Sequence, residues 1–323
     1  MNSTDIDIVY TWVDGKDTDF RVKYERSLNT LSSSPSSDSV GLHRFRDNGE
    51  LKYSIRSLEA YASRYRKIYI VTNGQTPSWL NPSHRSVSIV THDEIFSDKS
   101  DLPTFNSNAI ELNLHRIPNL SKLFLYFNDD VFLGRTTSIN DFLASEGQYV
   151  YLQPIPLHAN VNNGSVHDRS YAHTQEIINH VFGAKHSRLL PAHAPLLYDR
   201  DLLGKLEKMF RDEFGETSSH RFRSKNDLVL RVLYLYYLLE SPEDRDRNPA
   251  KLVNFRDYAL VRMDYHYLTW LRALSKIFLL RPKFFCINDE LDDATRGQRM
   301  GICLKKFLQS YFPRPSQLEA GQS

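Results

Sequence analysis

Three short apolar runs, each closing on a polar turn, constrain this chain more than any other feature. Ile6 to Val13 is rich in β-branched and aromatic residues and stops at Asp14-Gly15. Lys67 to Thr72 (KIYIVT) stops at Asn73-Gly74, and Leu123 to Phe127 (LFLYF) stops at Asn128-Asp129-Asp130. Val87 to Thr91 reads as another strand and Tyr149 to Leu152 as a fifth. Between them, Leu51, Ile55, Leu58 and Ala62 recur at helical spacing behind an expected Asn48 cap. Ala109 and Leu112 mark another helix, stopped before Pro118. Strands alternating with helices predict βαβ units, hence an α/β fold on a mostly parallel sheet. In such sheets the residues just past the strands' carboxyl ends gather along one edge, where ligands bind. Asp14, Asn73 and Asn128 to Asp130 all hold that position.

The second half reads as mainly helical. Asp201 to Phe214 carries leucines, Met209 and Phe210 on one face. Ser224 and Asp227 have capping-box spacing ahead of a Leu- and Tyr-rich run ending at Leu239. Tyr267 to Leu280 is a third helix, and Phe312 to Ser316 (FPRPS) closes the fold. The chain divides into an α/β half, 1–155, and a helical half, 156–323, that completes the same site. Ser32 to Ser39 (SSSPSSDS) reads as a solvated flexible loop.

Composition excludes several classes. Forty-one Lys and Arg against 39 Asp and Glu give a net charge of +2, without the basic excess of a nucleic-acid binder. No stretch of about 18 apolar residues marks a transmembrane helix. Cys286 and Cys303 form neither a disulfide framework nor a metal pair by spacing. Met1 to Asp7 is polar and acidic, unlike a secretory signal. The expected location is the cytoplasm, or the inner face of the membrane by peripheral association.

Residue chemistry narrows the site. Adjacent carboxylates at Asp129 and Asp130 would project to opposite sides of the turn, so one can ligate Mg²⁺ or Mn²⁺ while phosphates supply other ligands. Arg44 to Glu50 (RFRDNGE) places Arg46 and Asn48 before a helix, where guanidiniums suit phosphate. His193, bracketed by alanines and prolines in Pro191 to Pro195, is held accessible for a general base. His220 to Arg223 forms a basic group suited to a phosphate clamp. Asn288-Asp289 repeats the Asn-Asp pattern past an apolar run, as a further binding and metal candidate.

These motifs form a series. DIVYTWVDG at 7–15, FRDNGELKYSIRSL at 45–58, IYIVTNGQTPSWL at 68–80 and the long segment 102–134 resemble the Stealth family of sugar-phosphate transferases. PAHAP at 191–195, CIND at 286–289 and FPRPS extend the resemblance over nearly the whole chain. It implies a glycosyltransferase-A-like fold and transfer of a hexose 1-phosphate from a nucleotide diphosphate sugar. The acceptor would be a glycan hydroxyl and the product a nucleoside monophosphate, in capsule or cell-surface polysaccharide synthesis. A compact bacterial-type member fits better than the membrane-anchored animal one. Carried over by motif, the family's Asn-Asp-Asp falls on Asn128, Asp129 and Asp130, with Asn128 toward the substrate and the two aspartates toward the metal, the histidine on His193 and the basic residue on Arg223. Asp14-Gly15 would lie beside the nucleotide. The expected roles are a cation on Asp130 and Asp129, phosphate neutralisation by Arg46 and Arg223, and proton transfer by His193, with Asp130 as the alternative base. A metal-dependent glycosyltransferase releasing the nucleoside diphosphate, or a non-catalytic nucleotide-sugar or glycan binder, is the competing reading.

Overall fold

The computed structural model describes residues 6–31, 37–184, 187–263 and 266–321. Residues 32–36 of the expected serine-rich loop lie outside them. The strands are β1 (Asp7–Thr11), β2 (Ile68–Thr72), β3 (Val87–Thr91), β4 (Leu123–Asn128), β5 (Val131–Leu133), β6 (Val150–Pro156), β7 (Leu189–Pro191), β8 (Leu196–Asp199), β9 (Ala250–Leu252), β10 (Tyr258–Arg262) and β11 (Phe284–Asn288). The helices are α1 (Thr18–Asn29), α2 (Ser37–Val40), α3 (Glu50–Tyr61), α4 (His92–Ile95), α5 (Ser107–Leu112), α6 (Val166–Phe182), α7 (Arg200–Met209), α8 (Arg211–Ser219), α9 (Leu230–Glu240), α10 (Tyr267–Leu280) and α11 (Ala294–Tyr311).

The main sheet has the order β3-β2-β1-β4-β8, parallel except for the antiparallel edge strand β8. Its inner strands are apolar on both faces because both faces are covered. Ile8 and Tyr10 face Leu51, Ile55 and Leu58 of α3, while Val9 joins the opposite cluster with Tyr126 and the α9 residues Val232 and Leu233. The expected α/β class and mostly parallel sheet therefore hold. Two three-stranded sheets flank it, β10-β11-β5 and β7-β6-β9.

Several local expectations change. The predicted fifth strand, β6, belongs to a flanking sheet, and the fifth strand of the main sheet is β8 from the second half. That half carries strands as well as helices, and β8 ties it directly to β4. The helix expected over Asp201 to Phe214 breaks at Phe210 into α7 and α8. Asn48 is not the cap of α3. Gly49 holds that position at φ 91°, a left-handed conformation that glycine adopts without strain. Ser224 and Asp227 do not open a helix, since α9 begins at Leu230. The fully buried Asp227 instead accepts bonds from Asn106 Nδ2 (2.9 Å), Asn108 Nδ2 (3.0 Å), the Ser224 N–H (3.0 Å) and His220 Nδ1 (2.8 Å). This knot fixes the loop that carries Arg223 against the start of α5.

The carboxyl-terminal segment is bolted to α3 by charge. Glu319 accepts from Arg56 Nε (2.6 Å) and Nη2 (2.9 Å) and from Lys52 Nζ (2.8 Å), and Arg56 also donates to Phe312 O. Burial alone would raise the Glu319 carboxyl, but these bonds outweigh it and hold the group down at about 2, from 4.5. The stabilisation is therefore complete above pH 4.5 and drains away as pH falls through about 2. Glu319→Ala leaves the buried Arg56 uncompensated and should cost about 3 kcal/mol at neutral pH. Urea unfolding of both proteins checks this, and the difference should shrink as pH falls from 4.5 toward 2.

Candidate functional site

Parallel pairing brings the ends of β1, β2 and β4 to one edge. At β1, Gly15 N–H donates to Phe45 O (2.7 Å), and a Cβ on Gly15 would stand 2.6 Å from that oxygen, so only glycine fits. Asp14 and Gln75 are zipped together by two bonds, Asp14 N–H to Gln75 Oε1 (2.8 Å) and Gln75 Nε2 to Asp14 O (3.0 Å). At β2, Asn73 borders a cleft of about 420 Å³ that is also lined by Lys23, Arg26, His92 and Arg221. Its Oδ1 is buried without a hydrogen-bond partner.

At β4 the chain reverses through Asp129-Asp130 into β5. Asp130 Oδ2 accepts from the Cys286 thiol (3.2 Å), because β11 pairs with β5 and sets Cys286 beside the turn. Asp130 Oδ1 faces His193 Nε2 across 3.8 Å, too far for a hydrogen bond. Neither atom has another partner. His193 sits between β7 and β8, flanked by the buried Ala192 and Ala194, with Ala192 N–H anchored on Tyr151 O (2.9 Å). Two buried polar atoms that confront each other without bonding mark a place built for something else. The potential ligand atoms of Asp130, His193 and Cys286 lie within 4.8 Å of one another, the group among the described residues that could hold a metal ion. A buried carboxylate oxygen without a partner suits a divalent cation, which binds such a ligand at roughly 2 Å.

Charge is sorted around this pair. Burial, then repulsion from Asp130, Glu50 and Asp47, pushes the Asp129 carboxyl well above its ordinary range. Burial and then Asp47 bring the buried Glu50 up to about 8. Asp130 is raised to about 6 by burial, against the bond from Cys286 and the charge of Arg231. Four carboxyls crowded this way favour a cation. On the other side, Arg231 projects from the first turn of α9, its Nη2 donating to Asn128 Oδ1 (3.1 Å). Arg223 Nη2 donates to Ser107 Oγ (2.7 Å). Burial, then the charges of Arg231, His167 and Arg223, drives His193 well below its ordinary value. The imidazole is neutral at neutral pH.

Some expected residues are placed otherwise. Arg46 Nη1 donates to both oxygens of Asp289 (2.9 and 2.8 Å) and its Nη2 to Leu291 O (2.9 Å), while Asn48 Nδ2 reaches Asp289 Oδ2 (3.2 Å). Asp289 is thus not part of the group around Asp130, and Arg46 is paired with it rather than open to phosphate. A carboxylate neutralised by a guanidinium fork is a poor cation ligand. Asn288 Nδ2 donates to Glu290 Oε1 (2.9 Å). Asp129 faces Glu50 and Asp47 and lies outside the Asp130, His193 and Cys286 group. Sequence reasoning missed Arg231, Glu50 and His167. Arg231 had a visible signal, a lone charge inside the apolar run Leu228 to Leu239.

Four family models match along the chain in order: Stealth protein conserved region 1 over 4–32, region 2 over 44–151, region 3 over 192–240 and region 4 over 277–323. The chain belongs to the Stealth family. Stealth region 2 contains Asp130, region 3 contains His193, Arg223 and Arg231, and region 4 contains Cys286 and Glu319. An exopolysaccharide phosphotransferase of Streptomyces coelicolor is 36% identical over 97% of this Stealth chain and 52% of its own length. Exopolysaccharide phosphotransferase CpsY of Mycobacterium tuberculosis is 34% identical over 98% of the chain and 58% of its own length. The chain spans about half the length of the curated relatives it matches. Among solved structures, galactosyltransferase LgtC in complex with donor and acceptor sugar analogs aligns with 94% of the Stealth chain and 96% of its own, at 11% identity and a TM-score of 0.42.

Proposed function

We propose that this chain transfers a sugar 1-phosphate from a nucleotide diphosphate sugar of the UDP-N-acetylhexosamine type to a hydroxyl of a glycan acceptor, releasing the nucleoside monophosphate. The observation that carries this reading is the unbonded Asp130–His193 pair, with carboxylates on one side and the arginines 223 and 231 on the other. Phosphoryl transfer asks for little else, since its catalysis is positioning and charge neutralisation. The names of the relatives, exopolysaccharide phosphotransferases, point the same way.

Asp130 is the residue that would hold a divalent cation, which would neutralise pyrophosphate charge on the leaving side. Arg223 and Arg231 bind the remaining phosphate oxygens. The acceptor hydroxyl gives its proton to His193 Nε2 as its oxygen bonds the sugar-bearing phosphorus, and the bond to the nucleoside monophosphate breaks with its electron pair. In the free protein burial, and then the arginine field, makes His193 a weak base. Arriving phosphates offset that field and return the imidazole toward the range where it accepts a proton well. The basic cleft beside Asn73, on the same sheet edge, suits the nucleotide end of the donor. Such a donor assigns the reaction to the cytoplasm or the inner membrane face.

Chromatography of the nucleotide released from UDP-N-acetylglucosamine and a glycan acceptor tests the reading. UMP appearing in step with phosphodiester product is the expected result. UDP would establish glycosyl transfer at the anomeric carbon instead.

A further inference from the structure

Helices α10 and α11 lie side by side over the β10-β11-β5 sheet. Phe278 packs on Tyr311 with ring centroids 5.6 Å apart, and Tyr267 OH is 3.6 Å from Cys303 Sγ. Trp270, Leu274 and Ile277 of α10 and Met300, Leu304 and Leu308 of α11 point into the core cluster shared with Phe285 and Ile287. The outward faces are unusual. Leu268 is 57% exposed, Leu279 78% and Ile302 55%. Half of the twelve exposed large hydrophobic residues among the described ones lie on these two helices.

The same faces carry only positive charge. Neither helix contains a single Asp or Glu, while Arg272, Lys276, Arg299, Lys305 and Lys306 are all exposed. Arg272, Arg299, Lys305 and Lys306 form no ion pair among the described residues. On a chain whose net charge is +2, this leaves the remainder net negative. A helix that serves only its own fold gains from opposite charges four residues apart, and Arg272 with Lys276 does the reverse. Positions 268, 272, 275 and 279 fall on one outward stripe at helical spacing, so the leucines and Arg272 share a face. Apolar side chains set among exposed cations that form no ion pair among the described residues match the interfacial layer of a bilayer, where leucines enter the acyl boundary and cations meet phosphate headgroups. No helix among the described residues is long and apolar enough to cross a membrane, so the contact is one of lying on the surface.

We infer that the α10–α11 face docks the protein on an anionic lipid bilayer, with Leu268, Leu279 and Ile302 inserted and Arg272, Lys305 and Lys306 at the headgroups. Each cation near such a surface contributes about fivefold in affinity.

Flotation with vesicles of phosphatidylcholine alone, and of phosphatidylcholine mixed with phosphatidylglycerol, tests this without any reliance on turnover. Binding to the mixed vesicles only, weakened by salt, is expected. It should fall about tenfold or more in Arg272→Gln/Lys305→Gln and again in Leu268→Ser/Leu279→Ser, with unchanged melting of both exposed-site variants. No binding to mixed vesicles, or equal binding to neutral ones, overturns the proposal. So does a concentration-dependent dimer in sedimentation that Leu268→Ser/Leu279→Ser abolishes, which would assign the face to a second copy of the chain.

Discussion

Asp130→Asn should lower kcat by about 10²–10⁴-fold and, at the same time, leave the protein as stable as before or more so. Both halves follow from the same crowding. Asp130, Asp129, Glu50 and Asp47 are raised chiefly by burial, and several of them by one another. Removing the Asp130 charge relieves Asp129, and asparagine keeps an oxygen that can still accept from the Cys286 thiol. The function suffers because the amide is a poor cation ligand and cannot take a proton from its surroundings. Added Mn²⁺ or Mg²⁺ should not restore turnover, and calorimetric melting should show no loss. Near wild-type kcat would remove Asp130 from the chemistry. A large drop in melting temperature would instead mean that its bond to Cys286 holds the β5–β11 junction. His193→Ala should give a loss of similar size, and the double variant should be little worse than either single one, since groups acting on one proton and one charge are not additive.

The fold was legible wherever local pattern and tertiary demand agreed. The strands at β1 and β2 are apolar because they are buried on both faces, and the polar endings of β1, β2 and β4 are where a parallel sheet exposes its edge. His193 was legible because proline and alanine on either side leave an imidazole little role in packing. Legibility failed where a residue's partner was distant in the chain. Arg46 and Asp289 are separated by 243 positions, and nothing local to either motif says that they meet. Ser224 and Asp227 carry the chemistry of a capping box, yet Asp227 is claimed by Asn106, Asn108 and His220, so the same local bond closes a turn instead of a helix. Glu50 reads as an ordinary first-turn acid of α3. Only the folded chain shows it buried beside Asp47 and Asp129.

Arg231→Met should reduce turnover by about 10³-fold or more, the scale of losing a transition-state arginine in phosphoryl transfer. The residue is buried in the first turn of an otherwise apolar helix, which is costly for a charge unless it has partners. Its partners are few: one bond to Asn128 Oδ1, and the field of Glu111, itself shared with Arg223. Methionine fills the same space, and the Glu111 carboxyl, already raised by burial, can take up a proton, so the fold should survive. Arg231→Lys keeps the charge but not the planar fork, and should fall between methionine and wild type in kcat. A second readout separates a phosphate clamp from a merely structural arginine. Arg231 is the largest of the charges that depress His193, after burial itself. Removing it should therefore move the His193 titration upward, toward the ordinary value of 6.5, as followed by NMR of the imidazole. If the titration rises while kcat collapses, the base has improved and the reaction has still failed, which leaves phosphate neutralisation as the function of Arg231. If kcat changes by less than about tenfold, the phosphate is held by other residues and the arginine serves to orient Asn128.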